Sequence, residues 1–564
     1  MAVHGIDLGT TNSAVAATGP DGRPQVLAGM SGELTTPSVV LFASPGEHVV
    51  GEGARREARL DPEHVCALVK RRMGDAQWRF VAHGKAWSAP AVSALILGSL
   101  VADAAFATGQ TPTAAVITVP AYFGDEERRA TVLAGTYAGL DVVDVLSEPI
   151  AAALAYGFGR IQGGPDLAKA PTGGAPAETV LVYDLGGGTF DATVIELADR
   201  RISVLAVEGD HQLGGADWDE RLALHLSRRF CAENPDAEDP LDDSAGAQAL
   251  VLAAERAKHQ LSAAERTDVV VAHDGARSTV PLTRAELEEM TAPLLRRTLD
   301  LTRACLDEAA RRGAARVDRV LLVGGSSRMP AVAAALRREF GLDPELHDPD
   351  LAVARGAALH GEKKELERLV GADLRSRGRL RDGLPLDDAA SADLDESCRR
   401  VADAYGVTLA QVRRAVEIRV DTVVSRGFGV LAVNVQAGRL EPSWLVHRND
   451  RLPVRTARSY GTMRADQSEI GVTVVEQQGQ VESARAKDVK VLVAGEITGI
   501  PPGYDEGAEV RVTFEMGFDG VLHVTAFHVD AGIPLVLTAR TGATLSQAEV
   551  ARERDQLGRM RRRA

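Results

Sequence analysis

The stretch VYDLGGGTFD, residues 182–191, places an aspartate and three consecutive glycines behind a short apolar strand, with a threonine after them. Glycine costs free energy inside any regular element, so a run of three answers a geometric need: something comes so close to this backbone that no side chain is tolerated. A second stretch follows the same plan. GIDLGTTNSAVA (5–16) and VYDLGGGTFDATV (182–194) each run from an apolar strand through Asp-Leu-Gly and a small-residue turn with threonine into a second apolar stretch. Such an echo predicts two similar lobes. A third glycine turn, VLLVGGSSRMP (320–330), follows another apolar strand and leads into a helix pattern over 330–340. Backbone N–H groups in such turns can all point at one anion. Two of them face to face would grip a polyphosphate from both sides, with Asp7 and Asp184 placed to hold a hydrated magnesium ion. This is not a Walker A loop, because no GxxxxGK[ST] occurs.

Working outward, strands and helices alternate as far as about residue 362, an α/β pattern. TAAVITVPAYF and ETVLVYDLGGG read as buried strands, and EERRATVLAGTYAGL and EPIAAALAYG as helices. The 564 residues, 45% hydrophobic and 25% charged, suit a soluble chain of two or three domains. A net charge of -15 argues against general binding to nucleic acids or anionic membranes. Four scattered cysteines without a CxxC pair suggest neither a zinc site nor a redox motif. The N-terminus runs straight into a strand pattern with no signal core, so the expectation is a cytoplasmic protein. The most apolar segment, 91–107, carries Asp103 and is expected to be a buried amphipathic helix rather than a span. Only eight of the 64 basic residues are lysines. A lysine is a compact charge suited to a phosphate, so any lysine in a candidate site carries weight.

GIDLGTTNS, VYDLGGGTFD, VITVPAYFGDEERRAT, SEPIAAALAYG, HQLGGADWDERL and LVGGSSRMPAV, in that order, closely resemble the nucleotide-binding domain of DnaK-type heat-shock protein 70 chaperones. The resemblance implies an α/β, actin-like, two-lobed ATPase domain over 1–362, with ATP/ADP, Mg²⁺ and K⁺ as cofactors, and it makes the triphosphate and its metal the partners of the glycine backbone. It implies that Gly9, Thr10, Thr11 and Asn12 line one phosphate loop and Gly186, Gly187, Gly188 and Thr189 the other, with Gly214 and Gly215 beside them. Asp7 and Asp184 would orient the hydrated Mg²⁺, with Asp191 near a potassium ion. Lys70 matches the catalytic lysine, and Glu148 the glutamate that positions water and metal. Glu255, Lys258, Ser262, Gly324, Gly325, Ser326, Arg328 and Asp350 would hold adenosine, with His259 where some relatives stack an arginine on the base. Pro120 and Arg128 match a pair that passes nucleotide state to the second domain.

From about 425 the pattern changes to short alternating strands. EVRVTFEMGFDGVLHVTAFHV alternates on both sides of Asp519-Gly520, a hairpin signal. The expectation is an all-β sandwich over 425–542. It resembles the family's peptide-binding domain, which implies pocket positions Val430, Val433, Tyr460, Met463, Ile470 and Val472 and binding of extended apolar peptide. Four features depart from the family. Only a residual lid helix is expected over 543–564, ending in a basic RMRRR that reads as a solvated helix end or a weak contact site. The segment between Lys70 and Pro120 is short. The linker region 363–424 is charged and carries two helices flanking YGVT, with Thr408 as a cap, a weak likeness to a helix-turn-helix; within it, 416–421 can pair as a strand. Asp144 stands where the family usually has a basic residue, which argues against a standard J-domain partner.

The leading expectation is an ATP-hydrolysing chaperone, a monomer acting on unfolded polypeptides with a nucleotide-exchange partner. The alternative is a nucleotide-dependent adaptor that binds one dedicated partner through the 393–419 helices.

Overall fold

The computed structural model describes residues 3–161, 177–198, 200–479, 481–517, 522–538 and 547–563. The echo in the sequence appears as two sheets of one topology. In the first lobe the strands lie in the order Asp141–Ser147, Ala114–Val119, His4–Asp7, Asn12–Thr18, Pro24–Val26. In the second the order is Pro344–Leu346, Arg319–Val323, Glu178–Leu185, Phe190–Ala198, Arg201–Asp210. In each sheet the central strand pairs in parallel on one side and antiparallel with its hairpin partner on the other. Asp7 therefore ends one central strand, and Asp184 lies one residue from the end of its counterpart.

Helices α1 (Glu52–Glu57), α2 (Ala89–Thr108), α3 (Asp125–Tyr137) and α4 (Glu148–Ile161) belong to the first lobe. Helices α5 (Gly215–Glu233), α6 (Ser244–Ala263), α7 (Arg284–Arg311) and α8 (Pro330–Phe340) belong to the second. Helix α9 (Ala352–Ser376) returns to the first sheet, and two glycines mark the approach. A Cβ on Gly5 would lie 2.0 Å from the Ala358 nitrogen, and one on Gly356 would lie 1.7 Å from the Ala151 carbonyl of α4. Helices α4 and α9 share a core cluster with strands of both sheets, including Val116, Val182 and Leu321.

Helix α2 differs from expectation. It is apolar on nearly every side and enclosed by the first-lobe core instead of being amphipathic. Among the described residues it is the one helix long and apolar enough to cross a membrane, and most of it is buried.

Helix α9 runs through position 362 to Ser376, so the region expected to follow 362 begins inside a helix. Helices α10 (Ser391–Tyr405) and α11 (Leu409–Glu417) fold back onto it around Leu366, Val370, Leu374, Cys398, Val401 and Val412. Thr408 caps α11 as expected, in a capping box with Gln411. The apolar faces of both helices are largely used within the molecule, and Tyr405 of α10 stays exposed. The strand Arg419–Asp421 then adds to the second-lobe sheet, parallel to Arg201–Asp210.

The β-domain has two four-stranded sheets around Phe428, Val446, Val474, Phe514 and Val524. The expected hairpin strands, Glu509–Met516 and Leu522–His528, pair antiparallel. Its turn at Asp519-Gly520 and most of the loop 161–178 lie outside the described residues.

Helix α12 (Gln547–Gly558) returns to the first lobe, where Glu553 accepts from the Ser88 amide (3.1 Å) and hydroxyl (2.7 Å). The basic end is not a solvated helix terminus. Arg561–Arg562 pairs as a strand with Glu47–His48, and the Arg562 guanidinium donates to the Ser99 carbonyl at 3.3 Å. Burial, with Arg562 adding to it, lowers the pKa of His48 to about 4. A base held neutral in the folded state stabilises above its unfolded pKa of about 6.5 and loses that contribution as pH falls through 4. Acidification from pH 7 to 4.5 is therefore expected to free the 561–563 amides to hydrogen exchange, and His48→Phe is expected to suppress that pH dependence.

Candidate functional site

The two Asp-Leu-Gly turns pack against each other and line a cavity of about 530 Å³ between the lobes. Their glycines are packed by protein. A Cβ on Gly187 would lie 2.3 Å from the Thr11 side chain, one on Gly188 2.2 Å from Thr10, and one on Gly214 2.5 Å from the Gly188 nitrogen. The expectation that a ligand excludes side chains here is thus corrected: the opposing turn does so at Gly187 and Gly188, and Gly186 alone has room beside it. The carbonyls of Gly186 and Gly187 accept the Gly215 and Ala216 amides at 2.9 and 2.8 Å, which pins the run to the start of α5.

Most of the expected residues share this cavity. Asp7, Gly9, Thr10, Thr11, Asn12, Lys70, Glu148, Asp184, Gly186, Gly187, Thr189 and Gly215 line it around the two turns. Glu255, Lys258, His259, Ser262, Gly324, Gly325, Ser326, Arg328 and Asp350 line the rest. Gly188, Gly214 and Asp191 lie behind that surface.

Lys70 sits on a short 3₁₀ turn, buried, its ammonium bonded to Glu148. Glu148 opens α4, where the helix dipole favours an acid. Asp7 accepts from the Thr118 hydroxyl at 2.9 Å, and Asp191 from the Tyr122 amide at 3.1 Å. Burial first and the Glu148 charge second raise all three aspartates, Asp7 to about 7, Asp191 to about 8 and Asp184 well above the usual carboxylate range. One lysine among three buried carboxylates and the half-buried Asp7 leaves the cluster short of positive charge. Among the described residues no three His, Cys, Asp or Glu side chains converge closely enough to hold a metal directly. Asp7 and Asp184 fit a divalent ion that keeps its water shell, as Mg²⁺ tends to do.

Elsewhere in the cavity Lys258 is engaged, bonding Asp219 at 2.8 Å and the Gly215 carbonyl at 2.9 Å. The Ser262 hydroxyl donates to the Lys258 carbonyl, and Arg328 pairs with Asp350. Two bridges between the lobes escaped the sequence reading. Arg55 of α1 pairs with Glu255 of α6 across the cavity mouth. Arg71 donates to the Gly188 carbonyl at 2.9 Å and to Asp217 at 2.5 Å. Their only sequence signal is position, beside GEGA and next to Lys70. Arg55→Ala is expected to speed nucleotide release about fivefold, since a part-exposed pair contributes roughly 1 kcal/mol; stopped-flow displacement of a fluorescent nucleotide reads the rate.

A chain of contacts leads from the cavity to the β-domain. The Tyr122 amide holds Asp191, while its ring lies between Arg426 and Arg448, 5.2 and 4.9 Å from their guanidinium carbons. The Tyr122 hydroxyl donates to the Gly479 carbonyl at 3.0 Å. Arg426 reaches Glu127 (3.2 Å) and Glu476 (3.7 Å), and Lys490 pairs with Glu126. Pro120 immediately precedes this segment. Arg128 donates to the Phe123 and Val145 carbonyls at 3.4 and 3.2 Å.

The six β-domain positions separate. Val430 and Val472 lie inside the sandwich core, and Tyr460 and Ile470 pack against it. Val433 and Met463 are exposed, and Val433 faces exposed Leu440 across the ladder. Asp144 is held by His360 (2.8 Å) and Lys364 (3.0 Å) of α9. Compared with known families, the chain matches the family model described as Hsp70 protein over residues 3–367 and 416–563.

Proposed function

The chain belongs to the Hsp70 family, whose members are ATP-dependent chaperones, and from that premise we propose that it hydrolyses ATP between its lobes and uses the nucleotide to set how tightly its β-domain holds extended apolar peptide. The observation that carries this reading is the convergence of two duplicated glycine turns on one cavity, with Lys70 and Glu148 lining it.

Phosphoryl transfer to water needs charge neutralisation and in-line placement more than covalent chemistry. Bound Mg²⁺ would supply charge to the phosphate oxygens, with Asp7 and Asp184 holding its water shell. Lys70 would face the terminal phosphate and fix the attacking water together with Glu148. Thr189 and the amides of the two turns would hold the phosphates, and Arg328 and Asp350 would flank the nucleoside. Asp191 is positioned through Tyr122, which supports a direct mechanical route from cavity to β-domain. Potassium at Asp191 is part of the same reading. Apolar peptide would bind at the exposed Val433 and Met463 region, with Val430 and Val472 acting as core beneath it.

The test is steady-state phosphate release from ATP. Turnover that requires Mg²⁺ and stops with EDTA is expected; no ATP binding by calorimetry with Mg²⁺ present would overturn the reading.

A further inference from the structure

The family match stops at 367 and resumes at 416, and the unmatched segment coincides with a built module: the end of α9, α10 and α11. It has its own core around Leu374, Cys398, Val401 and Val412. Its polar contacts are also organised. Asp373 receives the Ser397 hydroxyl (2.7 Å) and Arg400 (2.9 Å), and Arg413 pairs with Asp395 at 3.1 Å.

The module is anchored to the first lobe. Gln411 donates to the Pro20 carbonyl (3.4 Å) and to Glu362 (3.3 Å). Arg414 stacks 4.7 Å over the Phe158 ring of α4 and pairs with Glu362 at 3.7 Å. A Cβ on Gly22, which has φ +71°, would meet Gln411 at 2.7 Å, so the turn there is shaped to receive α11.

One residue, Ile418, separates α11 from the strand Arg419–Asp421 on the second-lobe edge. That strand carries contacts from the module as well as from its ladder. Asp387, in the module's connecting loop, pairs with Arg419 through both guanidinium nitrogens, and Glu417 at the end of α11 pairs with Arg200. The Arg419 amide donates to the Arg200 carbonyl at 2.8 Å, and Asp421 pairs with Arg201 at 2.6 Å. A single residue spans at most ~3.6 Å of extended chain. The strand therefore has no slack with which to leave the sheet while α11 stays docked.

We propose that residues 368–415 form a clamp that ties the interdomain strand 419–421 to the first lobe, so that the strand leaves the second-lobe edge only when α10 and α11 release together with it. The clamp rests on contacts within the chain and stands whether or not the proposed ATPase reading holds.

The experiment is native-state hydrogen exchange on the full chain without nucleotide, followed by mass spectrometry of fragments covering 409–417 and 419–421. A clamp makes the two segments one opening unit, so their amides share one protection factor. The double variant Asp387→Ala, Arg414→Ala weakens both anchors and is expected to speed exchange of both segments about tenfold, a change of about 1.4 kcal/mol in opening. Protection of α2 reports that the variant remains folded. Strand amides exchanging about tenfold or more faster than those of α11 in the native chain would overturn the proposal. So would a folded double variant in which only one segment changes. Absence of ATP turnover in the native chain, with its two segments exchanging as one unit, would count against the ATPase reading alone.

Discussion

Replacing Lys70 with alanine is expected to lower ATP turnover by about 10³-fold while nucleotide binding persists. The ammonium is buried against Glu148 and is the one lysine at the end of the cavity where Asp7, Asp184 and Glu148 gather. Without it the developing charge of a transferring phosphoryl group loses its side-chain cation, and only the metal and the turn amides proposed above would oppose the carboxylates. The remaining contacts, from the two glycine turns and from Arg328 and Asp350, do not involve this side chain, so binding by calorimetry is expected to change by less than about tenfold, roughly 1.4 kcal/mol. Lys70→Arg keeps the charge but spreads it over a planar fork, and is expected to restore little. A turnover number within about threefold of the parent chain in Lys70→Ala would show that the charge is not used in the reaction.

The second large effect concerns Arg426. Its guanidinium is almost fully buried between the β-domain and the first lobe, beside Glu127 and the fully buried Glu476. Arg426→Ala leaves two carboxylates without their counter-charge, a loss of about 3–5 kcal/mol for a buried pair. The β-domain is expected to undock from the lobes at pH 8, read as a larger radius of gyration by small-angle X-ray scattering. Burial raises Glu476 to about 7, with Arg426 opposing the shift. A carboxyl raised in the docked state stabilises that state fully below its exposed value, about 4.5, and loses the contribution as pH rises through 7. The variant is therefore expected to redock as the pH is lowered toward 5, and adding Glu476→Gln is expected to redock it at pH 8. A compact variant at every pH would contradict this account of the interface.

Both predictions use residues that differ in how plainly the sequence announces them. The two lobes were legible because a duplicated strand–turn–strand leaves the same Asp-Leu-Gly in each copy, and the sheets have the same strand order. Lys70 and Glu148 were legible through the motifs around them. Arg55 and Arg71 were not, because a bridge between lobes depends on a closure that no local pattern encodes. The same holds for Arg426 and Arg448, which come from the β-domain and meet Tyr122 only in the docked fold, and for Glu476, which meets Arg426 there. Helix α2 misled because one aspartate suggested a polar face, whereas Asp103 is buried near Arg562, 3.6 Å away on the returning C-terminal strand. The six β-domain positions also show the limit of a resemblance. Val430 and Val433 lie three residues apart on one strand, and strand alternation turns them to opposite faces.

The most direct test of the central claim is the dissociation rate of a labelled, leucine-rich extended peptide from the full chain, first with ADP·Mg²⁺ and then with ATP·Mg²⁺. Nucleotide control through the Asp191–Tyr122 contact predicts release at least about tenfold faster with ATP, a coupling of about 1.4 kcal/mol. Tight binding of both nucleotides with identical peptide release would contradict it.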